Sequence, residues 1–516
     1  MITARYQLGG LDDAVAAAVD RLASVDAVAR LWNRDHTLFQ AEPADCANRM
    51  GWLDSPHESS DAWDDLVAFA SEVAEASDDV VLMGMGGSSL FPEVLTATFG
   101  SAAGYPTLHV LDSTDPDAVR RVLDATDPAR TFHIASSKSG TTLETRSHLE
   151  LFWERSQDPS RFAVITDPGS ALGELARSRG FRHVFENNPD IGGRYAALSL
   201  FGMVPAALID ADGDAMLESA LDMADALEPL GEADADAEGN VGLRLGATFG
   251  AAALAGREQL TIVLTPALGS FALWLEQLVA ESTGKHGLGI IPVVGERIAD
   301  VCATPASRLI VTIGEVEGIA DLRACGAPLV ELSLEELHDV GAHVLLWEFA
   351  VALAGKVLGI NPFDQPDVEA AKAAARALLD AAAPPAPPES ALADALAAVQ
   401  PGDCLALCAF VDPGSPLADR LQDRRDELGA RLGVATTLGL GPRFLHSTGQ
   451  LHKGGPASIV VVQVASEPED GHDLAIPGQS FTFGGFKAAQ AAGDLQALHD
   501  SGHRAFRVAV AELDAG

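Results

Sequence analysis

"VVLMGMGGSSLFPEVLTATF", residues 80–99, holds three textures in succession. An apolar run, VVLMG, meets a turn containing Gly84, Gly86, Gly87, Ser88 and Ser89, and the amphipathic stretch LFPEVLTATF follows. A short apolar run bounded by glycine reads as a buried strand, and the longer segment reads as a helix. The same alternation continues downstream. TLHVLD (107–112) precedes DPDAVRRVLDA, FHIAS (132–136) precedes TTLETRSHLELFWERS, and FAVITD (162–167) precedes SALGELARSRG. Strand and helix in strict alternation predict βαβ units around a parallel sheet, here to about residue 210.

Working outward, the pattern resumes near 240 with VGLRLGATFGAAALAG, LTIVLTP, FALWLEQLVAES, RLIVTIG and PLVELSL. It predicts a second doubly wound domain. Residues 11–50 carry apolar positions at helical spacing, as in LDDAVAAAVDRLASVDAVARLW. The run AAAPPAPPES (381–390) reads as a linker or sharp corner. CLALCAFV, LADRLQDRRDELGARLG, ASIVVVQVA and RAFRVAVAEL beyond it predict a smaller α/β portion. The expected division is a helical N-terminal segment (1–50), two α/β domains (51–212 and 213–382), and a C-terminal α/β portion (383–516).

With 516 residues, one core is too few. A hydrophobic content of 47 % is that of a globular chain and excludes disorder. The formal charge is 34 − 74 = −40, a field that repels phosphate backbones and argues against nucleic-acid binding. An anionic substrate therefore needs a local, preorganised site. The acidity fits either adaptation to high salt or a GC-rich genome. Five cysteines, none in a CxxC pair, indicate a reducing compartment. The N-terminus has no signal-peptide apolar region, and VLLWEFAVALAGKVLGI is interrupted by Glu348 and Lys356, so it reads as a core helix. A soluble, cytoplasmic protein without membrane contact is expected.

The chain has six lysines against 28 arginines. Lys138 lies in SSKSGTT, between the predicted strand FHIAS and a helix. The helix start offers free amide N–H groups, the serines and threonines offer hydroxyls, and Gly140 allows a tight path. Together they form an anion cradle suited to a phosphoryl group. The plain alternative is helix capping, with Thr141 or Thr142 facing Glu144 or Thr145. The Gly84–Ser89 turn is a second such loop, without GxGxxG or Walker spacing. Four lysines fall in polar stretches rich in Gly, Ser, Thr, Asn or Asp, where a compact ammonium differs from a planar guanidinium.

GMGGSSL, SSKSGTTLET, NNPDIGGRYAALSLFG, WLEQLVAESTGKHG, NPFDQPDVEAAK and HSTGQ together resemble the glucose-6-phosphate isomerase (phosphoglucose isomerase) family, built of two sugar-isomerase (SIS) domains. The resemblance covers roughly 50–380. The flanks WNRDHTLFQAEPADCANRMGWLD and GPRFLHSTGQLHKGGP are similar to the isomerase half of bifunctional transaldolase/phosphoglucose isomerases. The chain is too short to hold a full transaldolase barrel as well.

The resemblance implies interconversion of glucose 6-phosphate and fructose 6-phosphate through a cis-enediol(ate), as in glycolysis and gluconeogenesis. It implies no metal or organic cofactor, a homodimer and a link to a transaldolase. Glu281 would be the base, and Arg194 would stabilise the enediolate. Gln277 would share the Glu281 face and contact the sugar or phosphate. Gly87, Ser88, Ser137, Lys138, Ser139, Thr141 and Thr142 would hold the phosphate, Lys138 as a cation or as a support. Lys372, with Gln365 nearby, and His446 would open the ring. The family's histidine comes from the partner subunit. His446, lying after FDQP, would reach that place by a rearranged path or across a subunit boundary; His286 and His343 compete with it. His452 and Lys453 would belong to a loop over the site. Rival readings are an SIS isomerase for mannose 6-phosphate or an amino sugar, and a non-catalytic sugar-phosphate sensor.

Overall fold

The computed structural model describes residues 2–229, 239–379, 389–467 and 471–514. The chain runs through β1 (Ala4–Gln7), then β2 (Asp79–Met83), β3 (Thr107–Leu111), β4 (Thr131–Ser136), β5 (Phe162–Thr166) and β6 (His183–Glu186). Next come β7 (Gln259–Leu264), β8 (Ile291–Val294), β9 (Arg308–Ile313) and β10 (Leu329–Leu332). The last four are β11 (Cys404–Phe410), β12 (Ala435–Leu440), β13 (Ile459–Ala465) and β14 (Arg504–Arg507). Among the described residues they form three sheets, ordered β3-β2-β4-β5-β6, β1-β10-β9-β7-β8 and β12-β11-β13-β14. The pairings between these strands are parallel, apart from that of β1. In each sheet the first parallel strand lies between the second and the third, so the winding reverses direction beside it. Such a reversal opens a crevice at the strands' carboxyl ends.

β2, β4 and β5 are near-continuous apolar runs because both sheet faces are covered. CLALCAF is likewise buried along its whole length, as β11. The N-terminal helices are present at Asp12–Ala23 and Ala27–Trp32, the first burying Val15, Ala18, Val19 and Leu22 as one stripe. The expected helical N-terminal segment needs one correction: Ala4–Gln7 form an antiparallel edge strand, with Ala4 opposite Leu332 and Gln7 opposite Leu329. Four residues carry too little alternation to declare a strand, and their partner lies more than 300 positions away. The Pro-rich stretch falls largely on 380–388, outside the described residues.

The C-terminal sheet is fastened to the first by buried charges. Arg443 donates to both oxygens of Asp112 at 2.7 and 3.0 Å. Lys487 Nζ lies 2.7 Å from Asp115 Oδ2, both side chains almost fully buried. Removing one partner of such a pair strands a charge in low dielectric, at about 3–5 kcal/mol.

Leu337–Leu358 is long and apolar enough to cross a membrane, but 89 % of its most apolar window is buried inside the protein, as a core helix requires. Glu348 sits in its middle, 1 % exposed, with Oε1 lacking a hydrogen-bond partner among the described residues. Burial drives this carboxyl well above the usual carboxylate range. The folded state keeps a proton that the unfolded chain releases, so this group costs stability as pH rises above its unfolded value. Glu348→Gln removes the titration. Its stability relative to wild type should rise with pH above the ordinary glutamate range, read from urea midpoints at several pH values. Parallel pH profiles for the two proteins would contradict a protonated Glu348.

Candidate functional site

Loops 84–89 and 137–142 leave the carboxyl ends of β2 and β4, the two strands flanking the reversal in the first sheet. Gly86 has φ +56°, and a Cβ there would stand 2.6 Å from the His446 carbonyl oxygen and 3.0 Å from Gln277 Nε2. A Cβ on Gly87 would stand 1.8 Å from the Gly193 carbonyl oxygen. Neither position has room for a side chain. The glycines let the first loop touch all three parts that carry candidate catalytic groups: the Gly193–Arg194 turn, the Gln277 helix and the His446 turn.

These parts enclose a cavity of 920 Å³. Its lining includes Ser88, Ser139, Thr141 and Thr142 together with Arg194, Gln277, Glu281 and His446. Helix Leu143–Ser156 begins where the hydroxyl loop ends. In the loop, Ser137 Oγ accepts from Gly140 N at 3.2 Å and lies 3.0 Å from Thr142 Oγ1. Ser139 Oγ lies 3.0 Å from Thr141 Oγ1. The hydroxyls are thus preordered around a helix start, a geometry that accepts an anion. Lys138 borders the cavity, but its ammonium is committed to Asp167 at 2.5 Å and to the Pro189 carbonyl at 2.7 Å. It is positioned as a strut.

Helix Phe271–Thr283 carries Gln277 and Glu281 one turn apart on the face toward the cavity. Gln277 Nε2 donates to Glu281 Oε2 at 3.1 Å and to the His446 carbonyl at 2.8 Å. Gln277 Oε1 is buried without a partner among the described residues. Arg194 Nη1 lies 3.4 Å from Glu281 Oε1. Its other nitrogens donate to Ser282 Oγ at 2.8 Å and to the carbonyls of Pro362 and Asp364 at 2.5 and 3.0 Å. A guanidinium only 3 % exposed is therefore held rigidly beside the carboxylate. Beneath it, Lys285 donates to the Asn361 carbonyl at 2.6 Å. Burial, then repulsion from Arg194, pushes its ammonium down to about 7 despite Asp364.

His446 lies in the cavity of its own chain, in the turn that follows β12. Its Nε2 meets Glu144 Oε1 at 2.9 Å, and Gln490 Nε2 donates to the same oxygen at 2.7 Å. Burial pushes the Glu144 carboxyl up, but attraction and hydrogen bonding from His446 outweigh it, and the net shift is downward. An ionised Glu144 fixes the imidazole's orientation. Sequence reading missed both partners. Glu144 stands in the SSKSGTTLET motif, where it passed for a capping residue, and Gln490 gave no local signal.

The competing histidines stay away from the cavity. His286 is exposed, and His343 is buried against the Ser333 carbonyl at 2.9 Å, with burial pushing its imidazole down to about 4. His452 and Lys453 form no loop over the site. They are buried in helix Gly449–Gly454, Lys453 paired with Asp494 at 2.5 Å. Burial and the Lys453 charge push the His452 imidazole down to about 3. The expectation failed because HKGG resembles a loop, whereas the packing of the C-terminal sheet makes it a core turn. Lys372 and Gln365 border the cavity, Lys372 pairing with Glu369 at 2.8 Å. Among the described residues no cluster of three or more His, Cys, Asp or Glu side chains is arranged to hold a metal ion.

The family described as Phosphoglucose isomerase matches residues 66–289. A probable glucose-6-phosphate isomerase from Natronomonas pharaonis is 32 % identical over 352 residues, covering 58 % of this chain and 78 % of that protein. Among solved structures, a hypothetical protein from Thermus thermophilus aligns with a TM-score of 0.62 at 25 % identity, over 73 % of this chain and 100 % of that one. A glucose-6-phosphate isomerase from Chlamydia trachomatis shares the fold, with a TM-score of 0.63 at 20 % identity over 73 % and 88 % of the two chains. With 32 % identity sustained over 78 % of a relative's length, the chain belongs to the phosphoglucose isomerase family.

Proposed function

We propose that this chain interconverts glucose 6-phosphate and fructose 6-phosphate, with Glu281 as the base at carbon. One observation carries the reading: the Glu281 carboxylate and the hydroxyl loop around Ser139–Thr142 border one cavity of 920 Å³. A phosphate seated on the loop pins the tail of a hexose whose first two carbons then lie toward Glu281. Binding energy from the remote phosphate orients the reacting end.

His446, oriented by Glu144, protonates the ring oxygen as its bond to C1 breaks, and the O1 proton passes to water, from which His446 is reprotonated; Lys372 and Gln365 assist at the cavity rim. In the open chain, Glu281 takes the C2 proton and returns it to C1. The hydroxyl proton passes between O1 and O2, so atoms and charge balance. Arg194 stabilises the negative charge that builds on the oxygens, and its burial strengthens that effect. A homodimer and a link to a transaldolase are part of the proposal. A cytoplasmic site of action is part of the proposal, supported by five free thiols and a charged substrate.

A coupled assay across salt concentrations tests it, with glucose 6-phosphate, fructose 6-phosphate and mannose 6-phosphate as substrates. Turnover of the first two with little of the third is expected. Preference for mannose 6-phosphate, or phosphate binding without turnover, would overturn the reading.

A further inference from the structure

The cavity must hold a dianion in a chain of net charge −40, and most of its cations are already committed. Lys138 is tied to Asp167, Arg194 faces Glu281 and Lys453 pairs with Asp494 in sheltered pairs, while Lys372, in an exposed pair with Glu369, and Arg376 stand on helix Val368–Leu379. Arg49 differs. It comes from the segment before the first sheet, and its Cδ would stand 3.6 Å from a Cβ on Gly192, beside the Lys138–Pro189 wall. Its charge already acts on Asp167, the carboxylate that anchors Lys138 at the hydroxyl loop. Its ion-pair partner among the described residues is Asp45 at 2.9 Å, the two side chains being 23 % and 62 % exposed, and it also donates to the Asn48 carbonyl at 2.9 Å. A water-exposed pair of this kind is weak and screened by salt, whereas a guanidinium on a phosphate makes two parallel charge-assisted bonds.

We propose that Arg49 is a substrate-binding residue that exchanges Asp45 for the phosphate group of the bound sugar phosphate. The proposal rests on the isomerase reading above and adds a phosphate ligand from the N-terminal segment. It supplies the mobile positive charge that the hydroxyl loop, with its lysine used as a strut, lacks.

The test compares wild type, Arg49→Gln, Arg49→Lys and Asp45→Asn by steady-state kinetics and by calorimetric titration with inorganic phosphate. Arg49→Gln should raise KM and weaken phosphate binding together, by about tenfold, with kcat little changed. Arg49→Lys should fall between. Asp45→Asn, which frees the guanidinium, should leave both constants unchanged or tighten them. An Asp45→Asn variant that reproduces the Arg49→Gln loss would make the pair a structural tie and overturn the proposal. So would unaltered KM and phosphate affinity in Arg49→Gln. A misfolded Arg49→Gln leaves Arg49→Lys and Asp45→Asn to decide on the same criteria. The two readings fail differently. Wild type without isomerase turnover sinks the function, while normal turnover with no effect at Arg49 sinks only this assignment.

Discussion

Glu281→Gln is expected to lower kcat by about 10³–10⁴-fold while KM for glucose 6-phosphate stays nearly constant. Glutamine keeps the shape and still meets Gln277 and Arg194, but it cannot take a proton from carbon. The phosphate loop is a separate segment of the cavity lining, so ground-state binding survives. The neighbouring charge makes the result specific. Arg194 sits 3.4 Å from Glu281 Oε1 and Gln277 Nε2 donates to Oε2 at 3.1 Å, so both carboxylate oxygens are oriented. Progress curves over a wide enzyme range measure the effect; a variant retaining a tenth or more of wild-type kcat would remove Glu281 from the reaction.

The second large effect belongs to His446. His446→Asn should cost about 10²-fold in kcat, because the cyclic sugar would open without a positioned acid. Glu144→Gln should reproduce part of that loss through orientation alone, since Glu144 Oε1 meets both the His446 imidazole and the Gln490 amide. If His446→Asn retained full activity on cyclic sugar phosphate, ring opening would belong to Lys372 or to solvent.

Much of this site was legible in the chain. Strand–glycine–helix alternation locates the two cradle loops, and strand order then brings them together at one reversal. Gln277 and Glu281 follow from helical spacing. What local pattern could not supply is long-range. The carbonyl of His446 meets a helix 169 positions earlier, and its imidazole meets a carboxylate 302 positions earlier. Nothing in HSTGQ encodes those partners; the winding of the third sheet does. Lys138 shows the opposite difficulty. Its surroundings announce an anion site, but a lysine's reach allows it to contact the anion or to hold the loop, and only the positions of Asp167 and Pro189 separate the two. Ala4–Gln7 needed a partner strand before its four residues had any fixed conformation.

Isomerisation of glucose 6-phosphate in D₂O, followed by NMR of recovered substrate and product, tests the central claim most directly. A carboxylate that carries the proton between carbons shares it with solvent, so deuterium should appear at C1 of fructose 6-phosphate and C2 of glucose 6-phosphate, and none should accumulate with Glu281→Gln. Deuterium accumulating at the wild-type rate with Glu281→Gln would mean that another group moves the proton, and the role given to Glu281 would be wrong.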